Sequence, residues 1–160
     1  MKKPFLSLIS IFALVALLLS GCRTHVSADS VLRNFLGSYP LPEGIVFSSL
    51  AKPTDREYAD AQALVRLYGE RQMPLYDSFA VYLYSDMDTL RECGVFVVRG
   101  GLGKSDDILL TQDMIFERIH LVSITFPQMQ SRVMRFGNTV AYAIVPDLDR
   151  AERLFQRLTH

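Results

Sequence analysis

From residue 31 onward, the apolar positions of the chain alternate between two spacings. Val31, Leu32, Phe35 and Leu36 recur at helical steps until Gly37 and Pro40 interrupt them, which predicts a short helix. Residues 37–54 carry Gly37, Pro40, Pro42, Gly44 and Pro53 and read as loop, with a short extended piece at Ile45-Val46-Phe47. Thr54-Asp55-Arg56-Glu57 has the form of a capping box, and Tyr58, Ala61, Leu64, Val65 and Tyr68 follow at helical spacing. A helix over residues 55–71 is the expectation. Phe79 to Tyr84 then switches to period two, with Ala80, Tyr82 and Tyr84 on one side and Val81 and Leu83 on the other. Asp86-Met87-Asp88 is a turn, leading into a short helical turn at Leu90-Arg91, and Cys93 to Val98 is a second strand, paired antiparallel with the first.

Three glycines follow between Arg99 and Lys104. Ser105 reads as the cap of a long helix, with Asp106 and Asp107 placed where the helix dipole favours acids. Ile108, Gln112, Ile115, Ile119, Val122 and Phe126 form its apolar stripe, and Pro127 ends it. Arg132–Phe136 and Thr139–Val145 flank Gly137-Asn138, a two-residue hairpin signal. After Pro146, Asp147 or Asp149 opens a terminal helix with Leu148, Ala151, Leu154, Phe155 and Leu158 as its apolar side. Four strands in two hairpins, in ββαββα order, predict an α+β fold. The expected form is a two-layer domain with a four-stranded, mainly antiparallel sheet, helices packed on one face, and a preceding N-terminal helical segment.

The first 22 residues, MKKPFLSLISIFALVALLLSGC, follow a different grammar. Lys2 and Lys3 precede an apolar run from Phe5 to Leu19 that is short for a bilayer span, which takes roughly 20 residues. A charged start, a short apolar core and small residues at its end mark a secretory signal peptide. Leu19-Ser20-Gly21-Cys22 resembles the lipobox of bacterial lipoproteins. That resemblance implies signal-peptidase recognition through Leu19, Ser20 and Gly21, cleavage after Gly21, and attachment of diacylglycerol to Cys22. Acyl chains such as palmitate would then hold the protein at the membrane. The resulting division is 1–21 signal peptide, 22–30 tether and 31–160 a single α+β domain.

Composition changes meaning under this division. The whole chain has 160 residues, 17 basic and 17 acidic side chains, and two cysteines. Residues 1–21 hold two lysines and no acid, so the remainder carries 15 bases against 17 acids, a net of −2. Its bases are thirteen arginines and two lysines scattered among acids, without the basic footprint of a nucleic-acid binder. With Cys22 lipidated, Cys93 is the sole thiol left and reads as buried and inert.

No pattern in the remaining chain spells out a catalytic, metal or cofactor site. Gly103-Lys104-Ser105 follows a strand and opens a helix, as a phosphate loop does, but the required first glycine falls on Val98, so no nucleotide is expected. His25 and His160 lie near the ends of the chain past the signal, and His120 reads as a helix-surface partner of Glu117. Asp86/Asp88, Asp106/Asp107 and Asp147/Asp149 sit at turns or helix starts, where acids are structural.

From Leu64 on, Leu67-Tyr68-Gly69, the Ala80-Val-Tyr-Leu strand, Glu92-Cys-Gly-Val-Phe-Val-Val, Gly137-Asn-Thr-Val-Ala-Tyr and Asp149-Arg-Ala-Glu152 resemble a family of small uncharacterised bacterial lipoproteins carrying a domain of unknown function. The resemblance implies a fold type and no activity. The expectation is a lipid-anchored, extracytoplasmic lipoprotein of the cell envelope. It would act as a non-enzymatic interaction or accessory module with an envelope protein partner, on the outer membrane where the cell has two. The alternatives are a small-ligand or peptide-binding lipoprotein, and an envelope enzyme.

Overall fold

The computed structural model describes residues 26–59, 61–69, 76–100 and 104–160. Ser27 starts the first helix. Its hydroxyl accepts from the Ser30 N–H at 3.2 Å, Asp29 occupies the first turn, and Ala28, Val31, Leu32 and Phe35 turn inward to give α1, Ala28–Ser38. Residues 28–30, at the end of the expected tether, are therefore helical, and Ala28 joins the core. The remaining elements are β1 (Ile45–Ser48), α2 (Ala61–Tyr68), β2 (Tyr76–Ser85), β3 (Leu90–Val98), α3 (Lys104–Thr125), β4 (Arg132–Phe136), β5 (Thr139–Ile144) and α4 (Leu148–Thr159).

The fold is α+β, with a sheet in the order β1-β2-β3-β5-β4 and every neighbouring pair antiparallel. The four-strand expectation is corrected to five. Ile45-Val46-Phe47 is no isolated extended piece, but pairs with Leu83, Tyr82 and Val81 along the edge of β2. The β4–β5 turn matches its signal. Gly137 takes φ 63° at the first central position and Asn138 stays at negative φ, the II′ pattern whose twist suits a hairpin. The Asn138 amide also donates to the Val98 carbonyl at 3.0 Å, tying the turn to β3.

Helices on one face is a second expectation the structure corrects. They cover both faces, giving three layers. Ala80, Tyr82, Cys93, Val95, Val97, Ala141 and Ala143 face α1 and α4, where Phe35 stacks on Phe155 at 4.2 Å. Phe79, Val81, Phe96, Val98, Val140, Tyr142 and Ile144 face α2 and α3. A sheet buried on both faces explains why Cys93–Val98 is apolar without alternation.

Two local expectations also shift. The helix expected over 55–71 starts at Ala61. Its expected capping residue Glu57 instead reaches Arg33 of α1 at 2.5 Å, and its carbonyl accepts from the Ser48 N–H at 2.8 Å. Residues 57–59 meet the end of β1 at Ser48, with Tyr58 bridging it, so the chain here is held by tertiary bonds in place of a local cap. Leu90-Arg91, expected as a helical turn, opens β3. Asp86 closes the preceding turn by accepting from the N–H groups of Asp88 and Thr89, from the Thr89 hydroxyl and from Tyr84.

Candidate functional site

Because β3 begins at Leu90, Glu92 shares the face of Gly94, Phe96 and Val98, and that face is covered. Its carboxylate is fully buried. A lone buried charge is prohibitively unfavourable, so partners must surround it. Arg118, on the inner side of α3, provides the main one. Its Nε lies 3.1 Å from both carboxylate oxygens and its Nη2 lies 2.7 Å from Oε2. The Tyr142 hydroxyl from β5 donates to Oε1. With that proton committed, Tyr68 at the end of α2 is the donor in its 2.6 Å bond to the Tyr142 hydroxyl.

The result is a chain, Tyr68 to Tyr142 to Glu92 to Arg118, joining α2, β5, β3 and α3. Gly94 makes room for it. A Cβ there would lie 2.2 Å from Cε1 of Tyr142, the residue directly opposite on β5. Burial, together with the Glu92 charge, pushes the Tyr68 and Tyr142 hydroxyls well above the usual tyrosine range, so both remain neutral donors. Burial works against the Arg118 charge, but the Glu92 carboxylate outweighs it and holds the guanidinium above its ordinary value. Among the described residues no buried side-chain nitrogen or oxygen lacks a hydrogen-bond partner. The network orders four elements against each other.

The sequence signals of this network are visible only in retrospect. Glu92 sits two residues before Gly94, so extending the strand alternation backward would place it inward. Arg118 lies three residues after Ile115 and four before Val122, both of them buried. The inner line of α3 runs through Ile108, Thr111, Ile115, Arg118 and Val122, rotated from the stripe read through Gln112 and Ile119.

The other side of α3 is the unusual surface. Leu109, Phe116, Leu121 and Ile124 are each more than half exposed. At its C-terminal end Leu90, Arg118, Leu121, Val122, Ile124, Thr125 and Phe126 line a notch of about 320 Å³. The Arg118 charge there is already matched by Glu92, so the notch offers mainly apolar contact.

The residues singled out from sequence pattern fall elsewhere, or beyond what is described. Leu19, Ser20, Gly21, Cys22 and His25 lie outside the described residues, as do Gly101, Leu102 and Gly103; Lys104 is the first residue of α3. His120 is exposed on α3, and the His160 ring meets Phe136 edge-on at 6.5 Å. Asp147 is the N-cap of α4, its Oδ1 accepting from the Arg150 N–H at 2.9 Å, and Asp149 pairs with Arg132. Cys93 is buried among apolar side chains, and burial, with Glu92 next in sequence, pushes its thiol far up. No three of His, Cys, Asp and Glu converge on a metal-sized site among the described residues. None of the described helices is long and apolar enough to cross a membrane. No family model, curated protein or solved structure matches the chain.

Proposed function

We propose that the protein is a lipid-anchored lipoprotein of the bacterial envelope whose domain acts as a non-enzymatic interaction module. The observation that carries the second half is the division of labour across α3. Thr111 and Arg118 of α3 face inward and are hydrogen-bonded, while its outward face carries four large apolar side chains among the exposed Asp113, Glu117 and His120. A surface of this kind fits a protein contact better than a reaction. The notch beside Ile124 suits a partner's apolar side chain, since its one charge is already matched. The anchor is supported by Lys2, Lys3, the apolar run to Leu19 and the box Leu19-Ser20-Gly21-Cys22.

Metabolic labelling with palmitate in a bacterial host tests the anchor. The wild-type chain should take up label and be shortened by its first 21 residues. The Cys22→Ser variant should do neither. A mature, membrane-bound Cys22→Ser protein would overturn the reading.

A further inference from the structure

Charge is divided between the two helical layers. On α4, Arg150, Arg153 and Arg157 are exposed at steps of three and four and so share one side of the helix. The two acids of α4, Asp149 and Glu152, are both taken by Arg132 of β4. Arg150 rests over the Tyr39 ring and donates to the Ser38 carbonyl at 2.9 Å, which leaves its charge unneutralised. Arg153 and Arg157 have no carboxylate partner among the described residues. Beside them, the exposed positions of α1 are Ser30, Asn34, Gly37 and Ser38, all uncharged, and Arg33, which Asp29 and Glu57 hold. α3, in the opposite layer, has the reverse balance. It sets Asp106, Asp107, Asp113 and Glu117 against Lys104 and Arg118, and Arg118 is already matched by Glu92.

We infer that the arginine side of α4 lies on the anionic phosphate headgroups of the membrane that anchors the chain, and that this contact turns α3 away from the bilayer. The point where the chain enters the domain favours that side. Val26 packs in the α1/α4 layer, four residues after Cys22, so a lipid on Cys22 sits within about 14 Å of it. Tyr39 bonds Asp147 and Phe35 stacks on Phe155, so α1 runs back along α4 and its start lies toward the Arg157 end. An anionic surface at that distance attracts exposed arginines and repels the acids of α3. The stripe from Arg150 to Arg157 is about 10 Å long, and guanidinium groups take phosphate oxygens through paired N–H donors. A basic patch of this kind adds a second attachment to an acyl anchor. The inference rests on the anchor reading and deepens it by fixing which face meets the lipid. The apolar side chains of α3 are then presented to the partner.

The test uses the full chain, processed in a bacterial host and reconstituted into vesicles of phosphatidylcholine alone or mixed with phosphatidylglycerol. A thiol-coupled bimane is placed at Gln156→Cys, exposed beside Arg153 and Arg157, or at Leu109→Cys on the outward face of α3, and quenched with acrylamide. With phosphatidylglycerol present, quenching at position 156 should fall at least about threefold and quenching at position 109 should not change. Arg153→Gln combined with Arg157→Gln should return position 156 to its phosphatidylcholine level while the protein still floats with the vesicles. Each arginine is worth about fivefold in attraction to such a surface. Shielding at position 109, or none at position 156, in protein that floats would overturn the inference and leave the anchor standing. Shielding at position 156 that survives the double variant would take the arginines out of the contact and overturn it too. Shielding at position 156 in native envelope membranes but not on the mixed vesicles would assign the face to an acidic protein and overturn the lipid contact. Protein that floats with neither kind of vesicle would overturn the anchor reading itself, and the inference with it.

Discussion

Glu92 and Arg118 are each other's main compensation for burial, so removing one leaves the other uncompensated. Arg118→Ala and Glu92→Ala should each destabilise the fold by about 3–5 kcal/mol in denaturant unfolding. The double variant should cost less than the sum, with a coupling of about 0.5–3 kcal/mol. Strict additivity would mean the pair is not the unit described. Asp86 gives a pH-dependent counterpart at the surface. The Thr89 hydroxyl, the Asp88 N–H and the Tyr84 hydroxyl hold its carboxyl down at about 2. The unfolded value is near 3.9, so the folded group is the stronger acid. Its stabilisation is present in full above the unfolded value and is lost as pH falls through about 2. Asp86→Ala should lower Tm at pH 6, and the gap to wild type should close near pH 2. A gap that stays constant down to pH 2 would contradict the hydrogen-bond account.

At the scale of elements, α4 shows a local signal that tertiary contacts reinforce. Asp147 caps the helix, and its backbone N–H also donates to the Tyr39 hydroxyl at 2.9 Å. Asp147→Ala removes the cap alone and should cost about 1 kcal/mol, while Asp147→Asn should retain most of it; equal losses would point to the charge instead. The stretch 54–59 shows the opposite outcome. Thr54 and Glu57 have the spacing of a capping box, yet Glu57 is drawn to Arg33, 24 positions earlier. A box supplies two weak bonds, whereas residues 57–59 make two backbone bonds to Ser48 of β1 and Glu57 adds its ion pair with Arg33. α3 was legible as a helix, but its facing was not. With apolar residues on both sides, the stripe does not point in one direction, and only Glu92 across the interface fixes which side Arg118 turns to.

For the whole molecule, the three layers place Cys93 on the middle strand under α1 and α4. In the Cys22→Ser variant it is the one remaining thiol. Its reaction with a thiol reagent should therefore follow opening of the sheet, staying slow in buffer and accelerating with denaturant in step with unfolding. Rapid labelling of the native protein would show that the α1/α4 layer does not seal the sheet.

The sequence by itself determined the elements and their kind. The period-two run at Phe79–Tyr84 became β2, the unbroken apolar run at Cys93–Val98 became β3, the runs flanking Gly137-Asn138 became β4 and β5, and helical spacing with its stop signals became α1, α3 and α4, because these patterns are read within a few residues of one another. It also holds the N-terminal grammar on which the anchor proposal rests. Tertiary structure alone decided that the sheet gains β1 as a fifth strand, that helices cover both faces, and that Glu92, Arg118, Tyr142 and Tyr68 meet. Glu92 and Arg118 are 26 positions apart and Tyr68 and Tyr142 are 74 apart. Such separations leave no periodic trace. The unbroken apolar run of Cys93–Val98 did carry the three-layer signal, since a strand with one wet face alternates and this one does not.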